Sequence, residues 1–511
     1  MSRMKTKSPQ VCLLTLLSFL SPQVYGFQVP FLWTNPSRST TNSQGSLNFQ
    51  IQHAIHIGTH RYPGLHLQRK FNKEDREEID LRSLSTSSSS NPSSPNLYSS
   101  THQLISKKGI IWSHNSTWDQ WNSVRRQNIL MDRSRRGSKN ATQSLQTLDA
   151  ENKLMEIDWK GLEIDLPDLT NLQTLISLAK MTNNAYTIPN DDRWTDPGKK
   201  WNVSDSFGWE EDGLRGHVFA TPDHKSVVIS IKGTSAGVLG NGGSTGANDK
   251  LNDNLLFSCC CARVSWSWST VCDCYSGPYQ CRQQCVEKAL IDKSVYFSAA
   301  VDIYNDVVTM YPHARIWLAG HSLGAALASL LGLTFGVPVV GFESPGDLLP
   351  ARRLHLPLPP GASFGQGKEM SAVTHVFHTA DPIAMGTCNG VISTCSVAGY
   401  AMESRCHVGK SIIYDTVGKL NWAVDIRTHS IKTVIENILI PDWDPTPPTC
   451  QNKSIFALRW PWGKHENGTE PCEGNKPKNS IPEASVQECE EGDCFKWEFK
   501  DDWDDEASLD C

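Results

Sequence analysis

From about residue 150 onward, apolar and polar positions alternate in short blocks that predict helices and strands in turn. Leu169 to Ala185 read as a helix. His217 to Ala220 and Val227 to Ile231 read as two strands around a turn at Pro222-Asp223. Val286 to Met310 carry Ala289, Leu290, Tyr296, Ala299, Ala300, Ile303, Tyr304 and Val307 at helical spacing. Ile316 to Ala319 form a short apolar strand, followed by a helix from Leu323 to about Leu333; Val339 to Phe342 and Thr374 to His378 are further strands. Strands alternating with helices predict an α/β fold with a mostly parallel sheet. Upstream the pattern is weaker. Residues 28–80 show no clean period. The Ser/Asn/Pro run over 83–100 has too little apolar surface to order itself and reads as a linker or flexible loop. After Pro441 the chain turns Pro-, Cys- and Asp/Glu-rich. The expected organisation is a hydrophobic segment over 1–27, a flexible N-terminal region over 28–150, an α/β domain over 151–445 and a Cys-containing acidic tail over 446–511.

Charge sharpens this division. The 511 residues carry a net −6, which does not suggest a nucleic-acid partner. Residues 101–140 nevertheless hold eight Lys/Arg against two Asp, and residues 470–511 hold fourteen Asp/Glu against four Lys. The basic stretch reads as a solvated, disordered face, or else as a contact for anionic lipid, phosphoinositides included.

The compartment is written at the N-terminus and in the cysteines. Arg3, Lys5 and Lys7 precede the apolar run Val11 to Leu20, and Ser21, Pro22, Gln23 and Gly26 follow. The run is shorter than the roughly 20 apolar residues of a spanning helix. It fits a cleavable signal, or a signal anchor if Val24 to Leu32 extend it; both place the remainder in the secretory lumen. Of 16 cysteines, seven crowd into 27 residues: Cys259, Cys260, Cys261, Cys272, Cys274, Cys281 and Cys285. No His lies among them and no paired CxxC repeats, so disulfides are expected rather than a zinc cluster. Asn115, Asn140, Asn202, Asn452 and Asn467 are each followed at +2 by Ser or Thr and are candidate glycosylation sites.

The chemistry centres on Gly320-His321-Ser322-Leu323-Gly324, a G-x-S-x-G pattern. A strand runs into it and a helix rich in Ala325, Ala326 and Ala328 runs out, as a nucleophile elbow requires. Ser322 then sits at a helix N-terminus, where the N–H of Leu323 can hold an oxyanion. A serine nucleophile needs a base, and the base an orienting carboxylate. Asp381, just past the strand Thr374 to His378, is the favoured acid, with Asp347 as rival. His429, opening a helix-like run over Ile431 to Ile438, is the favoured base; His407 is its rival, and His375 and His378 precede Asp381 on its own strand. Thr234, at the end of Ile231-Lys232-Gly233-Thr234, is the candidate for the second oxyanion donor. Such a site needs no metal and no organic cofactor.

In order and rough spacing, IKGT, GHSLGAALASL, GFESPGD, HTADP and a late THS resemble the class 3 lipase family over about 150–440. The insert with CCCARVSWSW and CYSGPYQC looks like that of the fungal autophagic-body lipases within it. The resemblance implies an α/β-hydrolase fold, Ser322, Asp381 and His429 as charge relay, and Thr234 and Leu323 at the oxyanion hole. It also implies a single-pass type II protein that passes through multivesicular bodies to the vacuole. There it would dismantle membrane phospholipids of autophagic bodies, with triacylglycerol as a second substrate. Class 3 lipases carry Arg where this chain has Lys232. Trp266 and Trp268 in the insert read as residues packed on the domain core, or else as part of a lid that meets lipid. Two other readings remain open: a secreted carboxylesterase, and a non-enzymatic lumenal protein that binds anionic lipid.

Overall fold

The computed structural model describes residues 45–86, 97–186, 212–234, 245–264, 268–362, 372–441, 481–487, 489 and 493–501. The hydrophobic segment, Asn202, Asn452, Asn467 and Trp266 lie outside the described residues. Among the described residues no helix is long and apolar enough to cross a membrane.

The N-terminal region builds a flank of the sheet. It folds as β1 (Gly45–Ile57), β2 (His66–Lys70), α1 (Lys73–Thr86), β3 (Thr101–Ser113), α2 (Trp118–Arg135), α3 (Lys139–Ala150) and β4 (Lys160–Pro167). β1 pairs antiparallel with β3 through its first half and with β2 through its second, and β4 pairs with β3. The helix α4 (Leu172–Asn184) then leads to the hairpin β5 (Leu214–Ala220) and β6 (Ser226–Ile231). β5 pairs with β1 on one side and β6 on the other. The boundary expected at 150 therefore falls inside one continuous sheet. A bulge between Ile51 and His53 interrupts the alternation of β1 and masks it in the sequence.

The basic stretch 101–140 needs the same correction. It is ordered as β3, α2 and the start of α3, and several of its cations are spent internally. Lys107 pairs with Asp168 at 2.9 Å and Lys108 with Asp165 at 2.7 Å. Arg136 pairs with Asp132, Glu287 and Asp501. Thr117 caps α2 through a reciprocal pair with Gln120.

The insert contributes α5 (Gly246–Phe257), the short strands β7 (Tyr275–Gly277) and β8 (Gln280–Arg282), α6 (Gln283–Lys293) and α7 (Val295–Met310). The parallel core and its connections follow: β9 (Arg315–His321), α8 (Leu323–Phe335), β10 (Val339–Phe342), α9 (Leu348–Arg353), β11 (Val373–His378), α10 (Thr394–Val397), β12 (Lys410–Tyr414), α11 (Thr416–Leu420) and α12 (Ile431–Thr433). Last come β13 (Ser485–Val486) and β14 (Glu498–Lys500). The large sheet runs β13-β12-β11-β10-β9-β6-β5-β1-β3-β4, with β2 beside β1. β6, β9, β10, β11 and β12 are mutually parallel, as expected for an α/β-hydrolase. Apolar clusters fill both faces of the sheet.

Among the described residues six disulfides staple this frame. Cys260–Cys281, Cys261–Cys272 and Cys274–Cys285 cross-link the insert, and Cys388–Cys395 closes a loop beyond β11. Cys259–Cys494 and Cys406–Cys489 reach into the acidic tail. With β13 paired to β12 and β14 to β8, the described part of the tail is built into the fold rather than hanging from it.

Candidate active site

The site forms where β6, β9 and β11 end. Ser322 takes φ +57°, ψ −131°, a strained conformation that lifts its side chain out of the β9–α8 turn. Both flanking glycines are required by contact. A Cβ on Gly320 would stand 2.3 Å from the carbonyl oxygen of Gly324. One on Gly324 would stand 2.3 Å from that of Ile231 and 2.9 Å from the nitrogen of Gly233. The elbow therefore lies directly against the strand end that carries Thr234. Leu323 is the first residue of α8, so its N–H has no intrahelical acceptor.

The three expected residues meet. His429 Nε2 lies 2.8 Å from Ser322 Oγ, and His429 Nδ1 lies 2.7 Å from Asp381 Oδ2. Asp381 is fully buried, and its other oxygen accepts the N–H of Ile383 at 2.9 Å. Burial works against ionisation of Asp381. The charge and hydrogen bond of His429 outweigh it and hold Asp381 well below the usual carboxylate range. The loop bearing His429 is pinned to the loop bearing Asp381: the N–H of Asp425 donates to the carbonyl of Ala380 at 3.1 Å, and Thr428 Oγ1 to the same oxygen at 2.9 Å.

The rivals lie elsewhere. Asp347 and His375 face each other at 3.1 Å in a buried pair, and Asp347 accepts the N–H of Val408 at 2.8 Å. His407 reaches the carbonyl of Ser344 at 2.9 Å. His378 reaches the carbonyl of Thr428 at 3.1 Å, as a brace behind the site.

Three supporting residues escaped the sequence reading. Tyr186 lies 2.6 Å from Nδ1 of His321, whose Nε2 lies 2.7 Å from the carbonyl of His429. Burial, followed by the charge of His429, pushes His321 down to about 3. A neutral His321 thus links the elbow to the base's own backbone. Glu343, just past β10, is fully buried at φ +45°. Burial, then the charge of Asp381, raises its carboxyl well above the usual range, so it keeps its proton and stays neutral beside Asp381. Asp253 lies 2.7 Å from Thr234 Oγ1. Burial pushes it up to about 8. The motif GFESPGD did hold Glu343, but no local signal distinguishes a glutamate that keeps its proton.

Lys232 precedes Gly233 and Thr234 at the end of β6. It is buried, donates to the carbonyl of Gly233 at 2.9 Å and stands 3.5 Å from Asp249. Its compact ammonium fits this backbone contact without the fork of an arginine. Ser322 opens on a cleft of about 680 Å³, lined on its apolar side by Ile383, Tyr400, Met402, Ile426 and Ile431, with Thr234 and Asp253 near the serine. Asn115 and Asn140 are exposed.

Comparison with known proteins agrees with this geometry. Residues 263–338 match the family model "Lipase (class 3)". A protein of Cryptococcus neoformans var. neoformans serotype D named "Putative lipase ATG15" is 50% identical over 372 residues, 67% of this chain and 70% of its own. The chain belongs to the ATG15 lipase family. A Mycosarcoma maydis protein of the same name is 47% identical over 366 residues, covering 68% of this chain and 70% of its own. Lip2 lipase from Yarrowia lipolytica, a solved structure, is 14% identical with a TM-score of 0.25 over 48% of this chain and 80% of its own, too distant to weigh. This ATG15-family chain is thus a lipase, with the elbow inside the segment that matches the class 3 family.

Proposed function

We propose that this lipase hydrolyses acyl esters of membrane glycerolipids, with Ser322 as nucleophile. The observation that carries this is His429 bridging Ser322 and Asp381 at the base of an apolar cleft. Ser322 Oγ attacks the acyl carbonyl while His429 Nε2 takes its proton. Asp381 holds the imidazole's orientation and balances the charge it gains. The N–H groups of Leu323 and Thr234, with the Thr234 hydroxyl beside them, receive the oxyanion. His429 returns the proton to the departing glyceryl oxygen, then activates the water that releases the fatty acid.

The substrates we infer are phospholipids of autophagic bodies and other vesicles inside the vacuole, with triacylglycerol second. The relatives' shared name supports the autophagic setting. Six disulfides support a life in an oxidising lumen. Arrival as a single-pass type II protein through multivesicular bodies belongs to the same proposal. The test is fatty-acid release from phosphatidylserine- and phosphatidylethanolamine-containing liposomes beside a triacylglycerol emulsion, by wild type and Ser322→Ala. Release that needs Ser322 and favours liposomes is expected. Ser322-dependent cleavage of the emulsion alone would overturn the phospholipid reading.

A further inference from the structure

Beyond the catalytic Asp381 the chain runs for 21 residues, Pro382 to Met402, without an Asp, Glu, Lys, Arg or His. At 20% charged residues overall, a stretch of that length averages about four. Most of it is not core. Cys388–Cys395 closes a loop whose tip is Val391 and Ile392, 58% and 93% exposed, and Val397 just past the loop is 80% exposed. Adjacent apolar side chains so fully in water, with no charge among them, are a recognised sign of an interaction surface.

The loop is organised to leave water cheaply. Several of its polar groups bond among themselves: Ser396 Oγ donates to the carbonyl of Gly390 at 2.7 Å, Asn389 Nδ2 to that of Gly386 at 2.8 Å, and the N–H of Ser396 to Ser393 Oγ at 3.1 Å. The N–H groups of Thr387 and Cys388 both reach the carbonyl of Pro382 at 2.8 Å. Satisfied polar groups remove most of the cost of entering an apolar phase. The base is fixed on α5, since Lys250 Nζ donates to the carbonyl of Ala398 at 2.8 Å and Asn254 Nδ2 to that of Gly399 at 3.0 Å. The same segment forms a wall of the cleft, through Cys395, Ala398, Tyr400 and Met402.

We propose that the disulfide-closed segment 386–399 is a membrane-inserting platform: Val391, Ile392 and Val397 enter the lipid interface and hold the mouth of the Ser322 cleft against the bilayer. This rests on the phospholipid reading of the site and names the surface by which it meets its substrate. The contact is apolar, so it fits neutral as well as anionic bilayers and survives salt.

The test uses the full chain. Flotation with phosphatidylcholine vesicles at about 0.5 M salt, where surface charge is screened, is measured in a Ser322→Ala background for the parent, Ile392→Asp, Val397→Asp and the control Ile110→Asp. Ile110 is 74% exposed on β3, toward the sheet end that meets the C-terminus of α8, away from the cleft. Active enzymes carrying the same substitutions are assayed on a soluble short-chain ester and on vesicles. The expected result is a fall of about tenfold or more in vesicle binding for Ile392→Asp and Val397→Asp, the worth of one buried aliphatic side chain. Vesicle hydrolysis should fall in parallel, with soluble-ester turnover and Ile110→Asp unchanged. Equal binding by parent and loop variants, or an equal loss in Ile110→Asp, would overturn the platform while leaving the phospholipid reading intact. A parent that cleaves the soluble ester but neither floats with vesicles nor hydrolyses them would overturn both, and the parent arm tells the two failures apart.

Discussion

The proposed oxyanion hole is expected to be pH-sensitive through Asp253. Its carboxyl is buried 2.7 Å from Thr234 Oγ1 and is pushed up to about 8 by burial, with the charge of Asp249 adding to it. Below that pH the carboxyl keeps its proton and can donate it to Thr234 Oγ1. The hydroxyl's own hydrogen is then available to an oxyanion in the cleft. Above it, the carboxylate takes that hydrogen and adds a negative charge beside the developing oxyanion. A hydrogen bond to a charged group contributes about 1.5–3 kcal/mol, or about 10- to 150-fold in rate. Turnover of a soluble short-chain ester should therefore fall by at least about tenfold as pH rises through 8. Asp253→Asn should remove that fall, because the amide donates to Thr234 at every pH. Thr234→Val should lower turnover across the range and also lose the alkaline step. An Asp253→Asn enzyme with the wild-type alkaline fall would refute the reasoning.

Glu343→Gln should keep turnover within a few-fold, since the neutral amide, like the protonated acid, adds no charge beside Asp381; a loss of about 10²-fold would show that neutrality is not what this position supplies. Gly324→Ala drives a Cβ to 2.3 Å from the Ile231 carbonyl oxygen and must displace the strand end carrying Thr234. A loss of about 10²-fold in kcat and a lowered melting temperature are expected. Stability should peak at mildly acidic pH. Between 6.5 and about 8 the folded state keeps protons on Asp253 and, up to about 7, on Glu403, which the unfolded chain has released. Stability there falls by about 1.4 kcal/mol per retained proton per pH unit. Below 6.5 the neutral buried His56, His102, His217 and His321, all held near 3, resist protons that the unfolded chain takes up, so stability also falls toward acid. Between about 4 and 6.5 the carboxyls oppose that slope. Melting temperatures across pH check this; a rise from 6.5 to 8 would contradict it.

The parallel core and the three meeting side chains were legible because their signals are local. G-x-S-x-G needs two glycines for contacts within a few residues and across one strand, and Ala325, Ala326 and Ala328 let α8 pack closely. Asp381 follows a plain apolar strand, and His429 opens the next helical run. The antiparallel flank was not legible. β1 carries a bulge, and β3 reads as a basic stretch because its lysines find Asp165 and Asp168 only in the folded sheet. The cysteine spacing could signal disulfides but not that Cys259 reaches Cys494 across 235 residues. Glu343, Asp253 and Tyr186 gain their roles from burial and from partners far away in the chain, which no pattern along it encodes.

The central claim is that Ser322, His429 and Asp381 form one catalytic unit. A fluorescent alkylphosphonate, which reacts only with an activated serine, tests it most directly when followed by peptide mapping. A single label on Ser322 is expected, lost in His429→Ala and slowed by about 10⁴-fold in Asp381→Asn, where the imidazole is held in the wrong tautomer. Labelling of another serine, or undiminished labelling of Ser322 in His429→Ala, would contradict it.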